Sequence, residues 1–287
     1  MPVSRFLFFE DSDAATLTAF TEAVTRPAAN LQDRYRTRVW RSTALAGQWV
    51  RLDFGAAVPC DMLALVSHNL TGGSQVTIKA GTSAGDDSLY SGTFDGHDPI
   101  FGTDDVGNDE MTAGGYPLPG YETDWWPNGP VQCIYLPAAV EARYWEIRFD
   151  DPDNPDGYIE MGRLGLGFKI EAPRGPAEIK DSGPKYPSVI SRALSGAPHV
   201  DPKQPYLYLD LNFALIDRTV LWSVWDRLRQ RMAAGRAFVA DVFADTDLLP
   251  LRNKGKMYSL VESDEDGINV VPGLLGAYNL KLWEWVG

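Results

Sequence analysis

Residues 142–167 constrain the fold most, because they read as two strands joined by a turn. In the first half, apolar and polar residues alternate, which places Trp145, Ile147 and Phe149 on one face. Such alternation is typical of a strand with one buried face. The segment Asp151–Gly157 that follows consists of turn-forming residues, and an apolar strand resumes after it. The stretch therefore predicts two packed strands of a β-sandwich.

Further strands are predicted before this pair. Trp49–Phe54 alternates in the same way, whereas Cys60–Ser67 is a nearly continuous apolar run that suits a central strand covered on both faces. Residues 81–130 are dense in glycine, aspartate and proline and show no long periodic segment. A loop of this length is unusual in a compact domain. We therefore interpret it as an insertion that serves either as a functional loop or as an oligomer contact.

The C-terminal part of the chain has a different character. Prolines recur through residues 171–205, which predicts a linker or arm and a domain boundary. Residues 206–287 begin with the alternating strand YLYLDLNF, and an apolar stripe then predicts a helix over 217–234, capped by Asp217 and ended by Gly235. The predicted fold is mainly β, with an N-terminal β-sandwich at 1–170 and a smaller C-terminal sheet with one packed α-helix.

Charge and cysteine content narrow the functional classes. The formal net charge of −13 argues against nucleic acid and against an anionic membrane surface as partners. Cys60 and Cys133 stand in apolar contexts, which predicts buried free thiols. The N-terminal apolar run is too short for a signal peptide or a membrane span. We therefore expect a soluble chain made in a cytoplasm.

The sequence holds no motif that indicates catalysis. It has no nucleophile elbow and no metal-ligand spacing, and its three histidines lie far apart. We predict no catalytic residue and no enzymatic activity. The remaining metal hypothesis is calcium at Asp150, Asp151, Asp153 and Asp156, since close carboxylates offer hard oxygen ligands. A solvated turn is favoured over calcium, because no bidentate glutamate follows, and otherwise no cofactor is expected.

Two groups of side chains are candidates for binding. Arg36 and Arg38 belong to a basic segment that suits either a phosphate or sugar-acid site, or salt bridges within an acidic chain or to an acidic neighbour. Trp125 and Trp126 suit either a sugar-stacking platform or a subunit contact. The acidic net charge favours salt bridges for the arginines, whereas the residue types favour neither alternative for the two tryptophans.

The order of the N-terminal motifs resembles a known family. Trp49–Gly55, the apolar strand that ends at Leu70, Ala142–Arg148 and Ile159–Gly167 resemble the discoidin-like (galactose-binding-like) jelly roll, and above all the version found in tail proteins of tailed bacteriophages. The strand at 206–213, the helix after it and Leu280–Trp285 are similar to the small domains of phage tail-tip and distal tail proteins.

This resemblance implies a function and a location. It implies a structural component of a bacteriophage tail tip, present in the virion tail and assembled in the host cytoplasm. The chain would self-associate into a ring, as a trimer or hexamer, and contact other tail proteins. The alternative is a carbohydrate-binding module that recognises a glycan of the host surface.

Overall fold

The structure is a computed structural model that describes residues 3–97, 128–172, 174–192, 198–217, 221–232, 235–245, 255–261, 268–270 and 275–286. The strands are β1 (Ser4–Phe8), β2 (Thr16–Ala19), β3 (Trp40–Arg41), β4 (Gln48–His68), β5 (Gln75–Gly81), β6 (Tyr90–Asp95), β7 (Val131–Asp150), β8 (Glu160–Gly167), β9 (Ile170–Ala172), β10 (Glu178–Lys185), β11 (Val189–Arg192), β12 (Pro198–Asp201), β13 (Tyr206–Asp217), β14 (Phe238–Asp241), β15 (Lys256–Val261), β16 (Ile268–Val270) and β17 (Leu275–Glu284). The helical elements are α1 (Glu10–Ala14), a 3-10 turn (Ala28–Gln32), a π turn (Leu221–Trp225) and α2 (Asp226–Met232).

The first sheet folds on itself into a β-sandwich. Its strand order is β3-β8-β4-β7-β5-β6, and β2 pairs with β4. The long strands β4 and β7 pair along their whole length, with register shifts at Asp53/Val58 and at Cys60/Met62. Such irregularities let a strand pass from one layer of a sandwich to the other. The apolar side chains of both halves of β4, such as Leu52 and Leu63, therefore share one core.

Residues 142–167, which span the end of β7 and all of β8, lie in this sandwich. Trp145, Ile147 and Phe149 of β7 are buried in the core, as the alternation predicts. Residues 151–157 form the turn between β7 and β8. The predicted mainly β fold with an N-terminal β-sandwich is confirmed by this strand pairing.

The second sheet has the order β10-β13-β17-β15-β14-β1-β9, with β16 paired to β17. One face of it packs against the helical segment through Trp225 and Leu228, together with Leu209 of β13 and Leu280 of β17. The predicted C-terminal sheet with one packed helix is therefore also confirmed, but with eight strands it is not smaller than the seven-stranded first sheet.

A third apolar cluster joins the two sheets. Met62 and Val66 of β4 contact Leu7 of β1 and Tyr258 of β15 in this cluster, while Leu63, which points the other way, belongs to the sandwich core. The nearly continuous apolar run in β4 is thus covered on both faces, as predicted. It is apolar throughout because it faces the sandwich core on one side and the second sheet on the other.

The strand pairing departs from the predicted division of the chain in two places. β1, assigned from the sequence to the first domain, pairs with β14 and β9 in the second sheet. It is apolar on both faces because this part of the sheet is covered on both sides. The predicted linker contains β10, which forms the edge of the second sheet beside β13. Its Pro184 is tolerated there because an edge strand leaves some N–H groups unpaired.

The helix also differs from its predicted bounds. Asp217 does not cap it, since Asp217 is the last residue of β13 and pairs with Leu275. The helical residues described are 221–232, within the predicted 217–234. Gly235, the residue predicted to end the helix, has a φ of 65°, and its N–H donates to the carbonyl of Met232, which is the geometry expected of a residue that follows a helix.

The cysteine prediction is also borne out. Cys60 and Cys133 are both buried, and neither forms a disulfide in the part of the chain that the structure describes. Burial raises the pKa of the Cys60 thiol above its ordinary value. In the part of the chain that the structure describes, no helix has both the length and the apolar character needed to cross a bilayer.

Candidate functional site

The face of β13 and β17 that points away from the helix-packed core of the second sheet carries a row of polar and aromatic side chains, because both strands alternate. In β13, Leu207, Leu209 and Leu211 are buried, so the residues between them point away from the core. β17 pairs with β13 so that Tyr208 lies opposite Trp283, and Asp210 opposite Lys281. We call this surface the polar aromatic face, and it comprises Tyr206, Tyr208, Asp210, Asn212, Asn279, Lys281 and Trp283.

Three aromatic rings cluster at one end of this face. The rings of Tyr206 and Trp283 stack with centroids 5.0 Å apart, and Tyr208 meets Trp283 edge-on at 6.1 Å. Tyr206 and Trp283 also line a groove of about 400 Å³ that includes Trp285 and Leu260. A concave surface of this size with mostly apolar walls is typical of small-ligand sites.

Polar oxygens without partners lie beside the rings. Asp210 Oδ1 and Asn212 Oδ1 are shielded from solvent and accept no hydrogen bond from the residues that the structure describes. Lys180 adds a cation at the same face, where its Nζ donates to Asn279 Oδ1 at 3.2 Å. Buried polar atoms are nearly always hydrogen-bonded in native proteins, so these two acceptors, together with the equally unpartnered Nε1 of Trp283, leave hydrogen-bonding capacity at this face. The alternation predicted this face, but not the register that completes it.

The predicted candidate Arg36 lies inside the molecule. Its Nη1 is 2.6 Å from Glu284 Oε1, and both side chains are 2% exposed. Its Nε donates to the hydroxyl of Ser67, and its Nη2 donates to the carbonyls of Asn128 and Gly129. Burial lowers the pKa of Arg36, an effect that Glu284 opposes. Arg36 therefore joins the sandwich to the second sheet and is not open to an external ligand.

The other predicted candidates are not brought together. Arg38 is exposed and pairs with Asp33 at 2.8 Å. Arg36 and Arg38 thus both make salt bridges within the chain, which is the interpretation that the sequence favours. Trp125 and Trp126 lie outside the described residues, so both interpretations of them stay predictions.

The four aspartates of the predicted calcium site serve separate purposes. Asp151 is buried and accepts hydrogen bonds from the N–H and hydroxyl of Thr71 and from the amide of Asn154. Asp156 accepts from Asn69, whereas Asp150 and Asp153 are exposed. Among the residues described, no group of three or more histidine, cysteine or carboxylate side chains is placed to hold a metal ion. The structure therefore does not assemble these carboxylates into a ligand set.

The fold brings together two histidines that the sequence gives no reason to pair. His68, at the end of β4, and His97, after β6, have ring centroids 5.8 Å apart. The Nδ1 of His68 accepts from the N–H of Leu70. Burial first, and then the charges of His97 and Lys256, hold the pKa of His68 well below its ordinary value. No local signal reveals this pair, because strand pairing alone brings the two segments together.

No family model and no curated protein sequence matches the chain. Among solved structures, the chain is similar to the family 32 CBM from Clostridium perfringens NanJ in complex with galactose (14% identity, 56% of this chain, 98% of that chain, TM-score 0.36). It is similar to chitosan-binding module 1 of a chitosanase/glucanase from Paenibacillus sp. IK-5 (15%, 53%, 94%, 0.36) and to the lectin domain of lectinolysin complexed with Lewis B antigen (12%, 53%, 91%, 0.34). Identities and TM-scores this low assign no ligand to the chain, and the β-sandwich rests on the strand pairing.

Proposed function

We propose that the chain is a non-catalytic carbohydrate-binding protein and that the polar aromatic face holds the glycan. The observation that carries this proposal is the position of the unpartnered oxygens of Asp210 and Asn212 beside the aromatic cluster around Trp283. A sugar ring presents an apolar C–H face and an edge of hydroxyl donors. Aromatic rings pack against the first, and carboxylate or amide oxygens accept from the second.

The position of these groups in the sheet also supports the proposal. The aromatic and polar side chains stand on β13 and β17, paired strands whose opposite faces are packed in the core of the second sheet. Groups held by paired strands lose little conformational freedom when a ligand binds, which favours affinity. The face therefore offers an alternative to Trp125 and Trp126 as the stacking platform.

The first prediction tests the face directly. We expect the purified chain to bind at least one host-surface oligosaccharide on a glycan array. The double variant Asp210→Ala with Asn212→Ala should weaken that binding at least tenfold, because each substitution removes an oxygen that would accept a hydrogen bond from a sugar hydroxyl. A tenfold loss corresponds to about 1.4 kcal/mol. Isothermal titration calorimetry measures the effect.

Phe20→Ala is the matched control, because Phe20 is 56% exposed and its ring packs against Trp49 of β4 in the sandwich, outside the residues of the polar aromatic face. It should leave glycan affinity unchanged. Full affinity in a folded Asp210→Ala, Asn212→Ala variant, or no glycan bound by the native chain, would contradict the proposal.

The second candidate function is the structural one, a component of a bacteriophage tail tip in the virion that assembles into a ring. A specific feature favours it: among the described residues, β11 and β12 pair with each other and with neither larger sheet. A two-stranded hairpin is at best marginally stable in water, so this one is suited to rest against a neighbouring subunit. Tyr186, which precedes the hairpin, is 71% exposed.

The second prediction concerns this hairpin. We expect native mass spectrometry to find a trimer or hexamer of the full chain, and replacement of residues 189–201 by a short Gly-Ser loop to yield monomers, because the neighbouring subunit loses its contact. Val24→Ser is the control, since Val24 is 99% exposed and lies in the first half of the chain. A full chain that stays monomeric at every concentration would exclude the ring.

A further inference from the structure

A pocket lies where the sandwich meets the second sheet, and we propose that it binds a small organic carboxylate. The pocket has a volume of about 360 Å³ and is built by β1, α1, β8 and the segment before β14. We call it the junction pocket, and it is lined by Phe8, Phe9, Glu10, Asp13, Arg34, Arg163, Gly235, Arg236 and Ala237. Clefts between packed units are common places for ligands. This inference does not depend on the proposed glycan site, which lies on the polar aromatic face.

Arg163 is the buried charge in the wall of this pocket. It is 3% exposed, its Nη2 donates to Asp13 Oδ2 at 2.6 Å, and its guanidinium lies 4.2 Å from the centre of the Phe9 ring. Its Nε and Nη1 are shielded from solvent and have no hydrogen-bond partner in the described part of the chain. The protein therefore satisfies the guanidinium only in part, and leaving charged donors unsatisfied is costly. A ligand that accepts hydrogen bonds from these donors would relieve that cost.

Two more arginines reach the same pocket. Arg34 is exposed, donates to the hydroxyl of Tyr35 at 2.8 Å, and pairs with no carboxylate in the described part of the chain. Arg236 forms an ion pair with Glu10. The wall thus carries three guanidinium groups against the two carboxylates of Glu10 and Asp13. One positive charge remains after the two carboxylates are balanced, so a monoanion would neutralise the wall. A dianion would leave an uncompensated negative charge beside Glu10 and Asp13.

The remaining wall favours an organic molecule over an inorganic ion. Phe8, Phe9 and Ala237 supply apolar surface beside the arginines. A planar guanidinium matches the two oxygens of a carboxylate, and the apolar residues are placed to cover the carbon skeleton attached to it. Because the walls come from both sheets, a bound carboxylate is expected to stabilise their contact and to raise the unfolding temperature of the whole chain.

The third prediction uses benzoate as the probe, with acetate and inorganic phosphate for comparison. We expect benzoate to raise the unfolding temperature of the full chain in a concentration-dependent way, and to bind more tightly than either acetate or phosphate in calorimetry. Arg34→Gln should weaken benzoate binding at least tenfold, because this exposed arginine is the one without a carboxylate partner. Arg34 is used because Arg163→Gln carries a risk of misfolding.

Arg38→Gln is the matched control, an exposed arginine nearby that does not line the pocket. It should leave benzoate affinity unchanged. Asp210→Ala with Asn212→Ala on the polar aromatic face should also leave benzoate affinity unchanged, so that a failed prediction for the junction pocket can be told apart from a failed prediction for the glycan site. Absence of benzoate binding, tighter binding of phosphate, or equal losses in Arg34→Gln and Arg38→Gln would overturn the proposal.

Discussion

Arg36→Met is expected to lower the free energy of unfolding by about 3–5 kcal/mol, the usual cost of removing one partner of a buried ion pair. The substitution keeps much of the side-chain volume but leaves Glu284 buried without its charge partner, at a site where both side chains are 2% exposed. It also removes the donor to Ser67 and to the carbonyls of Asn128 and Gly129. Urea unfolding, followed by tryptophan fluorescence, measures the change.

Arg38→Met supplies the matched control, since it removes the same charge two residues away. Its partner Asp33 is part-exposed and Arg38 itself is 64% exposed, so solvent screens the pair. Exposed pairs contribute about 0–1 kcal/mol, and we expect a loss in that range. Equal losses in the two variants would show that the Arg36–Glu284 pair does not join the two sheets.

A second substitution separates the ion pair from the packing. Glu284 Oε2 accepts from the amide of Asn128 and from the N–H of Leu207, so Glu284→Gln keeps part of that network while removing the charge. In Arg36→Met with Glu284→Gln, no charge remains buried and unpaired. We therefore expect the double variant to lose less stability than the sum of the two single variants.

The sequence predicts those features of the fold that depend on a single segment. The alternation in 142–150 identifies the buried face of β7, and the alternation in YLYLDLNF identifies the two faces of β13, because a strand repeats every two residues whatever its partner. The apolar run before Ser67 likewise indicates a strand covered on both faces. In each case the signal and the structural consequence lie in the same few residues.

The candidate site and the junction depend on pairing between distant segments, which the sequence does not reveal. Arg36 and Glu284 are 248 positions apart, so nothing near Arg36 indicates that it is buried. β1 is a convincing strand, but its assignment to the second sheet follows from Phe8 lying opposite Phe238. For the same reason Asp210 and Trp283 belong to two separate patterns until β13 and β17 are seen side by side.

Gly162→Ala is the second substitution with a large expected effect, because the added Cβ has no room. It would lie 2.4 Å from the carbonyl oxygen of Arg36 and 3.1 Å from the Cβ of Ser67. The first of these atoms belongs to the backbone and cannot move aside alone. Overpacking of this kind costs about 1–3 kcal/mol, and we expect the upper end of that range.

The same strand supplies the control for this prediction. Gly167→Ala also changes a buried glycine of β8, but its nearest neighbours, a methyl of Leu7 and the carbonyl of Phe8, lie at 3.4 and 3.8 Å. It should change the free energy of unfolding by less than about 1 kcal/mol, since such distances are ordinary contacts. Urea unfolding of both variants makes the comparison.

The close approach at Gly162 is coupled to the buried ion pair. Ser67, beside Gly162, holds a left-handed φ of 54° and accepts from Arg36 Nε, so a shift of its backbone also moves the acceptor of Arg36. We therefore expect Gly162→Ala with Arg36→Met to lose less stability than the sum of the single losses, because both disrupt one contact between the sheets. Strictly additive losses would mean that the glycine and the ion pair stabilise the junction independently.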